Sequence, residues 1–299
     1  KDQPMKRTLW KTLESTSVLA AASLAAGCDN STPADSAETA AEAKSGLAHD
    51  MAAMDPGASM AVAAEGEGGE GGEGEGEGTS DTASLLTDDA AFLAQIGLMR
   101  GHLWVGHQLY LAGEVDMAAT HMKHPQAEIY STLLDAFAAR DVPGFADELT
   151  ALAETVTGDA GTEAVQASYD ALVGKIEMNE RNGADVSSPA VAAGVIVTLL
   201  RTAGEEYAIG IVDGQVANVH EYQDALGFTQ IARQWAASPA FAKPEQAVAV
   251  AAKIQDLTDR LLDQWPSLAP EGAVPFTAER IYGAAARVEL DALALQRGG

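Results

Sequence analysis

The chain of 299 residues is short of several things, and each shortage removes a class of function. Its one cysteine, Cys28, leaves the part that follows no intramolecular disulfide, thiolate metal cluster or catalytic cysteine, and without a CxxCH run there is no c-type haem attachment. Lys and Arg number 18 against 44 Asp and Glu, a net charge of −26. That balance excludes a nucleic-acid-binding protein, because phosphate backbones are held by clustered cationic side chains, and it disfavours electrostatic docking on anionic lipid. Beyond the first 28 residues no apolar run has the 18 or more uncharged residues of a membrane span; Ala190 to Leu200 is cut off by Arg201. There is no GxSxG elbow, Walker loop, kinase signature or GxGxxG after a strand, and no catalytic residue is assigned. Aromatics are 5% of the chain while hydrophobic residues reach 47%, mostly Ala, Leu and Val. Such apolar material packs helices.

Met5 begins a secretory leader. Lys6, Arg7 and Lys11 form a basic start, and Ser15 to Ala26 a short Ala-rich apolar stretch ending in Leu24-Ala25-Ala26-Gly27-Cys28. Small residues before a cysteine resemble the lipobox of bacterial lipoproteins, although Leu24 stands one place further from Cys28 than the usual pattern. The resemblance implies lipid on Cys28, attachment to the periplasmic face of a bacterial membrane through that lipid alone, and a signal segment over 1–28. Ordinary secretion to the periplasm is the alternative.

Residues 29–84 are built from Ala, Gly, Ser, Glu and Asp, with a Glu/Gly run from Glu65 to Gly78. A stretch so poor in large apolar residues cannot offset its ordering entropy, so a disordered, self-repelling linker is expected. From Asp29 to Asp89 there are 15 acidic residues and one Lys, a local charge of −14, and from Ala90 onward the charge is again −14. The acidity is either a cation-attracting surface or adaptation to salt. His49, Met51, Met54 and Met60 interrupt the linker with soft ligands that suit Cu(I), or are a chance cluster.

Beyond Leu85 the apolar residues follow the helical period throughout, with no sustained strand alternation. Phe92, Ile96, Met99, Leu103, Gly106 and Tyr110 mark one face of a long first helix, opened by Thr87-Asp88-Asp89 as N-cap material and closed at Gly113. His124-Pro125 reads as a helix start, and Asn218-Val-His-Glu221 has the form of a capping box. The expectation is an all-α fold, an antiparallel bundle of about eight helices over 85–299, with Arg181 to Asp185 a candidate joint between lobes 85–180 and 186–299.

Four of the six histidines, His102, His107, His121 and His124, lie within 23 residues. His102 and His107 are five apart and do not share a helix face, whereas His121 and His124 are three apart, with Glu128 one turn beyond. Imidazole with carboxylate is a common set for Fe, Zn or Cu in a helical bundle, so these five residues are candidate ligands. Equally, His124 is a helix-start residue and His102 a polar residue satisfied by Gln95 or Glu128. Neither Glu-x-x-His nor His-Glu-x-x-His occurs, so no motif selects a metal.

The stretch Glu206-Tyr207 to Asp213-Gly214, then Asn218-Val-His-Glu221-Tyr222-Gln-Asp224 to Phe228, resembles part of the extracytoplasmic helical region of bacterial high-affinity iron permeases. The resemblance spans about Ala190 to Trp265. It implies a periplasmic module beside iron uptake, with a membrane metal permease as partner, a transition-metal ion as ligand, and iron favoured over copper or zinc. The Arg-Glu-x-x-Glu motifs of the permease are not in the chain, so transport itself is not implied. Glu206, Glu221 and Asp224 become candidate oxygen ligands; the plainer reading makes Glu221 a cap and Tyr207 and Tyr222 packing residues. The alternative for the whole chain is a structural or protein-interaction lipoprotein with no metal site.

Overall fold

Asp81 caps a first short helix, α1 (Thr82–Thr87), by accepting the Ser84 amide at 3.1 Å. The structure, a computed structural model, describes residues 81–158 and 160–296, apart from the side chains of His124, Ala127, Glu128 and Gln296. The signal segment, Cys28, His49, Met51, Met54 and Met60 therefore lie outside the described residues. α1 begins inside the span read as linker, because one residue, the buried Leu85, anchors it against the bundle. A single apolar side chain leaves no periodic trace.

Asp88 then opens α2 (Asp89–Ala112), its Oδ1 accepting the amides of Ala90 and Ala91 at 2.8 and 3.2 Å. The helix ends at Gly113, whose φ of 89° is the left-handed conformation a side chain would resist. α2 is buried on nearly all sides and forms the centre of the body. α3 (Val115–Glu128) runs through Pro125, where the sequence reading placed a break, and α4 (Tyr130–Ala139) follows after Ile129. Pro125 removes one amide donor, but so near the helix end that only one turn must tolerate it. α5 (Ala146–Thr157) and α6 (Thr162–Gly183) form the next hairpin and pack on α3 and α2 respectively. Buried Asn179 of α6 holds the turn before α5 by accepting the Gly144 amide at 2.9 Å and donating to its carbonyl at 3.2 Å.

Ser188 caps α7 (Pro189–Gly210), with Pro189 at the first helical position. A two-residue hairpin, β1 (Ile211–Val212) and β2 (Gln215–Val216), turns at Asp213 and Gly214, both at positive φ. α8 (Val219–Ala236) returns along α7, α9 (Glu245–Leu261) follows a 3-10 turn over Pro239–Ala242, and α10 (Glu279–Gln296) packs on both α9 and α7. These last four helices thus close a ring, and α2 lies against α7 and α8 on the other side. Buried positions of α9 recur as Ala247, Val250, Ala251, Ile254, Thr258 and Leu261, all apolar but Thr258, whose hydroxyl donates to the Ile254 carbonyl. Ten α-helices occur among the described residues, against the eight or so expected; the fold class is as the periodicity indicated. None of these helices is long and apolar enough to cross a membrane.

Two cation networks bind the central helix to its neighbours. Arg100 donates to both oxygens of Glu180 on α6, at 3.1 and 3.2 Å, and to Gln234 on α8 at 3.1 Å. Arg140 reaches Asp89 at 2.6 Å, the Gly183 carbonyl at 2.7 Å and the Leu85 carbonyl at 3.1 Å, and covers the Phe92 ring at 4.4 Å. Partly buried guanidinium groups bonded to several acceptors hold geometry more firmly than the exposed pairs elsewhere on the surface.

Candidate metal centre

The placement of the site begins with glycine. α2 and α8 cross at Gly101 and Gly227, where a Cβ on Gly227 would stand 2.4 Å from the Gly101 carbonyl oxygen. Only backbone can approach so closely. The crossing sets His102, the residue after Gly101, beside Asp224 one turn before Phe228. His102 Nδ1 lies 2.6 Å from Asp224 Oδ1, and its ring meets the Phe228 ring edge-on at 5.0 Å. A second close approach occurs at Gly106 of α2, where a Cβ would stand 2.9 Å from Met122 Cγ and 3.3 Å from His121 Cβ. α3 can therefore lie low on α2, and His121 reaches the same carboxylate, Nδ1 to Oδ1 at 3.0 Å.

One ligand atom from each of His102, His121 and Asp224 falls within 4.8 Å of the others, and the residues are 0%, 2% and 3% exposed. Burial alone would raise the Asp224 carboxyl, but the His102 and His121 imidazoles overcome it and hold the group well below the usual carboxylate range. Asp224 is thus an anion in the interior, and it needs positive charge next to it.

Gln223 fixes which atom of His121 faces that anion. Fully buried, it donates from Nε2 to the Leu268 carbonyl at 3.1 Å and to Met117 Sδ at 3.6 Å. Its Oε1 is thereby turned to His121 Nε2 at 2.7 Å, and since an amide oxygen only accepts, Nε2 carries the proton. In the neutral ring Nδ1 is then a lone pair, aimed at a carboxylate oxygen 3.0 Å away. Two lone pairs at that distance repel, so a positive charge belongs between them: a proton on the imidazole or a metal ion. A histidine that ligates through one nitrogen while its other N–H is held by a second group is the usual arrangement at metal sites.

Two imidazole nitrogens and one carboxylate suit borderline divalent ions, and are the donor set of non-haem Fe(II) sites. The trio has no thiolate or thioether to favour Cu(I). His220, one turn before Asp224 on α8, stands beside the group with its ring 5.3 Å from that of His121, and is partly exposed.

The remaining sequence candidates fall elsewhere. His107 stacks on Tyr169 at 4.1 Å and 6° and meets Gln166 Oε1 at 3.0 Å through Nε2, away from the trio. Burial pushes the His107 imidazole down, against the raising effects of Gln166 and Asp170, and pushes the Tyr169 phenol up to about 12. Glu206 is buried on α7 and is not part of the trio. Glu221 lies in the first turn of α8, its Oε1 accepting from the Asn218 side-chain Nδ2 at 3.4 Å, while Asn218 Oδ1 accepts the His220 backbone amide at 3.0 Å. The side chains of His124 and Glu128 are outside the described part of the molecule. Tyr207 and Tyr222 are buried with Trp265, whose Nε1 donates to the Tyr222 carbonyl at 2.9 Å.

Gln223 and His220 are the two site residues the sequence reading did not select. An amide in a helix carries no pattern that marks it. His220 did carry one: the His-x-x-x-Asp spacing from His220 to Asp224 puts both on one helix face, but the capping motif had absorbed it.

No curated protein and no solved structure matches the chain. Residues 182–294, which hold the Glu206–Phe228 hairpin and extend through most of α10, match the family model of the iron permease-associated 4-helix bundle domain, in agreement with the resemblance read from that hairpin.

Proposed function

We propose that the protein is an extracytoplasmic metal-binding accessory of iron uptake, in which His102, His121 and Asp224 take up a divalent transition-metal ion, Fe(II) before copper or zinc. Lipid on Cys28 holds the body on the periplasmic side of a bacterial membrane, next to a membrane metal permease that receives or supplies the ion. One observation carries the reading: Gln223 turns the His121 Nδ1 lone pair toward a buried carboxylate oxygen 3.0 Å away. The matched bundle supplies Asp224, while both imidazoles come from α2 and α3, outside residues 182–294. The ion would therefore be held at the seam between the bundle and the helices that precede it. The acidic body, with its charge of −14 from Ala90 onward, favours cation approach.

A structural lipoprotein would use the same trio as a proton-bridged ion pair, and metal titration separates the two readings. Full-length protein without a polyhistidine tag, stripped with chelator and titrated anaerobically with Fe(II), then with Zn(II) and Cu(I), is expected to bind one Fe(II) more tightly than about 10 μM, roughly −7 kcal/mol. No binding in that range for any of the three ions would leave the ion-pair reading.

A further inference from the structure

Two imidazoles and one carboxylate leave coordination positions open on a divalent ion. We infer that His220 is the fourth protein ligand of this ion and the group through which it passes between solvent and the buried trio; the inference rests on the metal reading given above. His220 and Asp224 are four residues apart on α8, so their side chains lie on one face, one turn apart. The His220 and His121 ring centres are 5.3 Å apart. Two imidazoles sharing one ion at bond lengths of about 2.1 Å and a tetrahedral angle have ring centres about 5.4 Å apart, so the separation is right and a turn of the His220 ring is what brings its nitrogen to the trio, which it does not yet join. His102 and His121, at 6.3 Å, must draw together slightly to share it.

Exposure gives His220 its second role. The trio is sealed, whereas His220 is partly open to solvent at the first turn of α8. An incoming ion meets this imidazole before any other ligand of the site. The start of α8 does not depend on the ring, because the cap bond runs from the His220 backbone amide to Asn218 Oδ1 at 3.0 Å. Replacement of the imidazole therefore leaves the helix start intact, and rotation about its side-chain bonds carries the ring from its place beside His121 toward the shared centre.

The test uses the full, tag-free chain stripped of metal, with Cu(II) and Co(II) as probes. In wild-type protein loaded with Cu(II), nitrogen hyperfine structure in the electron paramagnetic resonance spectrum is expected to report three imidazole donors, and in His220→Ala two. Co(II) affinity should fall at least about tenfold, and Co(II) association in stopped flow should slow in the same variant. Should circular dichroism show that His220→Ala does not fold, His220→Gln, which keeps the size and polarity of the side chain, is read by the same three measurements. Two donors in wild type, together with wild-type affinity in the folded His220 variant, would overturn the role of His220 and leave the metal reading standing. Absence of metal binding by wild type would overturn both.

Discussion

Gln223 Oε1 stands 2.7 Å from His121 Nε2, and the amide nitrogen of the same side chain is committed to the Leu268 carbonyl at 3.1 Å. A neutral, fully buried residue thus decides the tautomer of a candidate ligand. It also joins the site to the segment after α9, where Tyr222 Oη donates to the Ser267 carbonyl at 3.1 Å.

Gln223→Leu keeps the volume and removes the acceptor. The His121 ring is then at liberty to take either tautomer, and Fe(II) or Zn(II) affinity is expected to fall about ten- to a hundredfold while the helical circular dichroism is retained. Isothermal titration of the stripped variant checks this, and unchanged affinity would show that the amide does not orient the ring.

Gly227→Ala places a methyl group 2.4 Å from the Gly101 carbonyl oxygen and 2.9 Å from Val105 Cγ2. Neither backbone can yield without separating α2 from α8, so a loss of about 3 kcal/mol is expected in urea unfolding. Gly174, exposed within α6 with nothing near its would-be Cβ, is the control. Gly174→Ala should stabilise by about 0.5–1 kcal/mol.

Asp224 sets an acid limit. Its folded carboxyl lies below the ordinary value of 3.8, so its stabilising contribution is complete above that pH and disappears as the pH falls toward the folded value. Asp224→Asn, compared with wild type in chelator, is expected to be less stable by about 3 kcal/mol at pH 7, since it breaks a buried charge pair. The difference should shrink below pH 4. A constant difference across that range would mean that the carboxylate is not held by the imidazoles.

His107 acts near neutrality in the same direction. Burial holds its imidazole below 6.5 in the folded protein, so unfolded chains bind the proton more readily and stability falls as pH drops below 6.5. Unfolding measured at pH 7.5 and 5.5 should show a smaller loss for His107→Gln than for wild type.

The helical class was legible because α2 and α7 carry long apolar patterns that begin at clear caps, Asp88 and Ser188, with Gly113 closing α2, and α9 carries a regular apolar stripe. α1 was not, since only Leu85 anchors it, and the break at Pro125 was misplaced because a proline near a helix end costs little. His102 and His121 stand in one histidine group of the sequence, whereas Asp224 is a candidate only through the permease-like hairpin. Their convergence depends on two close helix approaches, the backbones of Gly101 and Gly227 and the seating of α3 on Gly106. Sequence spacing within one helix has no access to such crossings. The aromatic packing of Tyr207, Tyr222 and Trp265 was closer to hand, because the hairpin that builds it is local.

On the proposed function the buried carboxylate of Asp224 shares its charge with a metal ion as well as with protons. Anaerobic Fe(II) titration of stripped, tag-free wild type beside His102→Gln, His121→Gln and Asp224→Asn tests it most directly. One Fe(II) per wild-type chain, bound more tightly than about 10 μM and lost or weakened at least about a hundredfold in each folded variant, is the expected result. Equal Fe(II) binding by wild type and all three variants, or none by wild type, would contradict it.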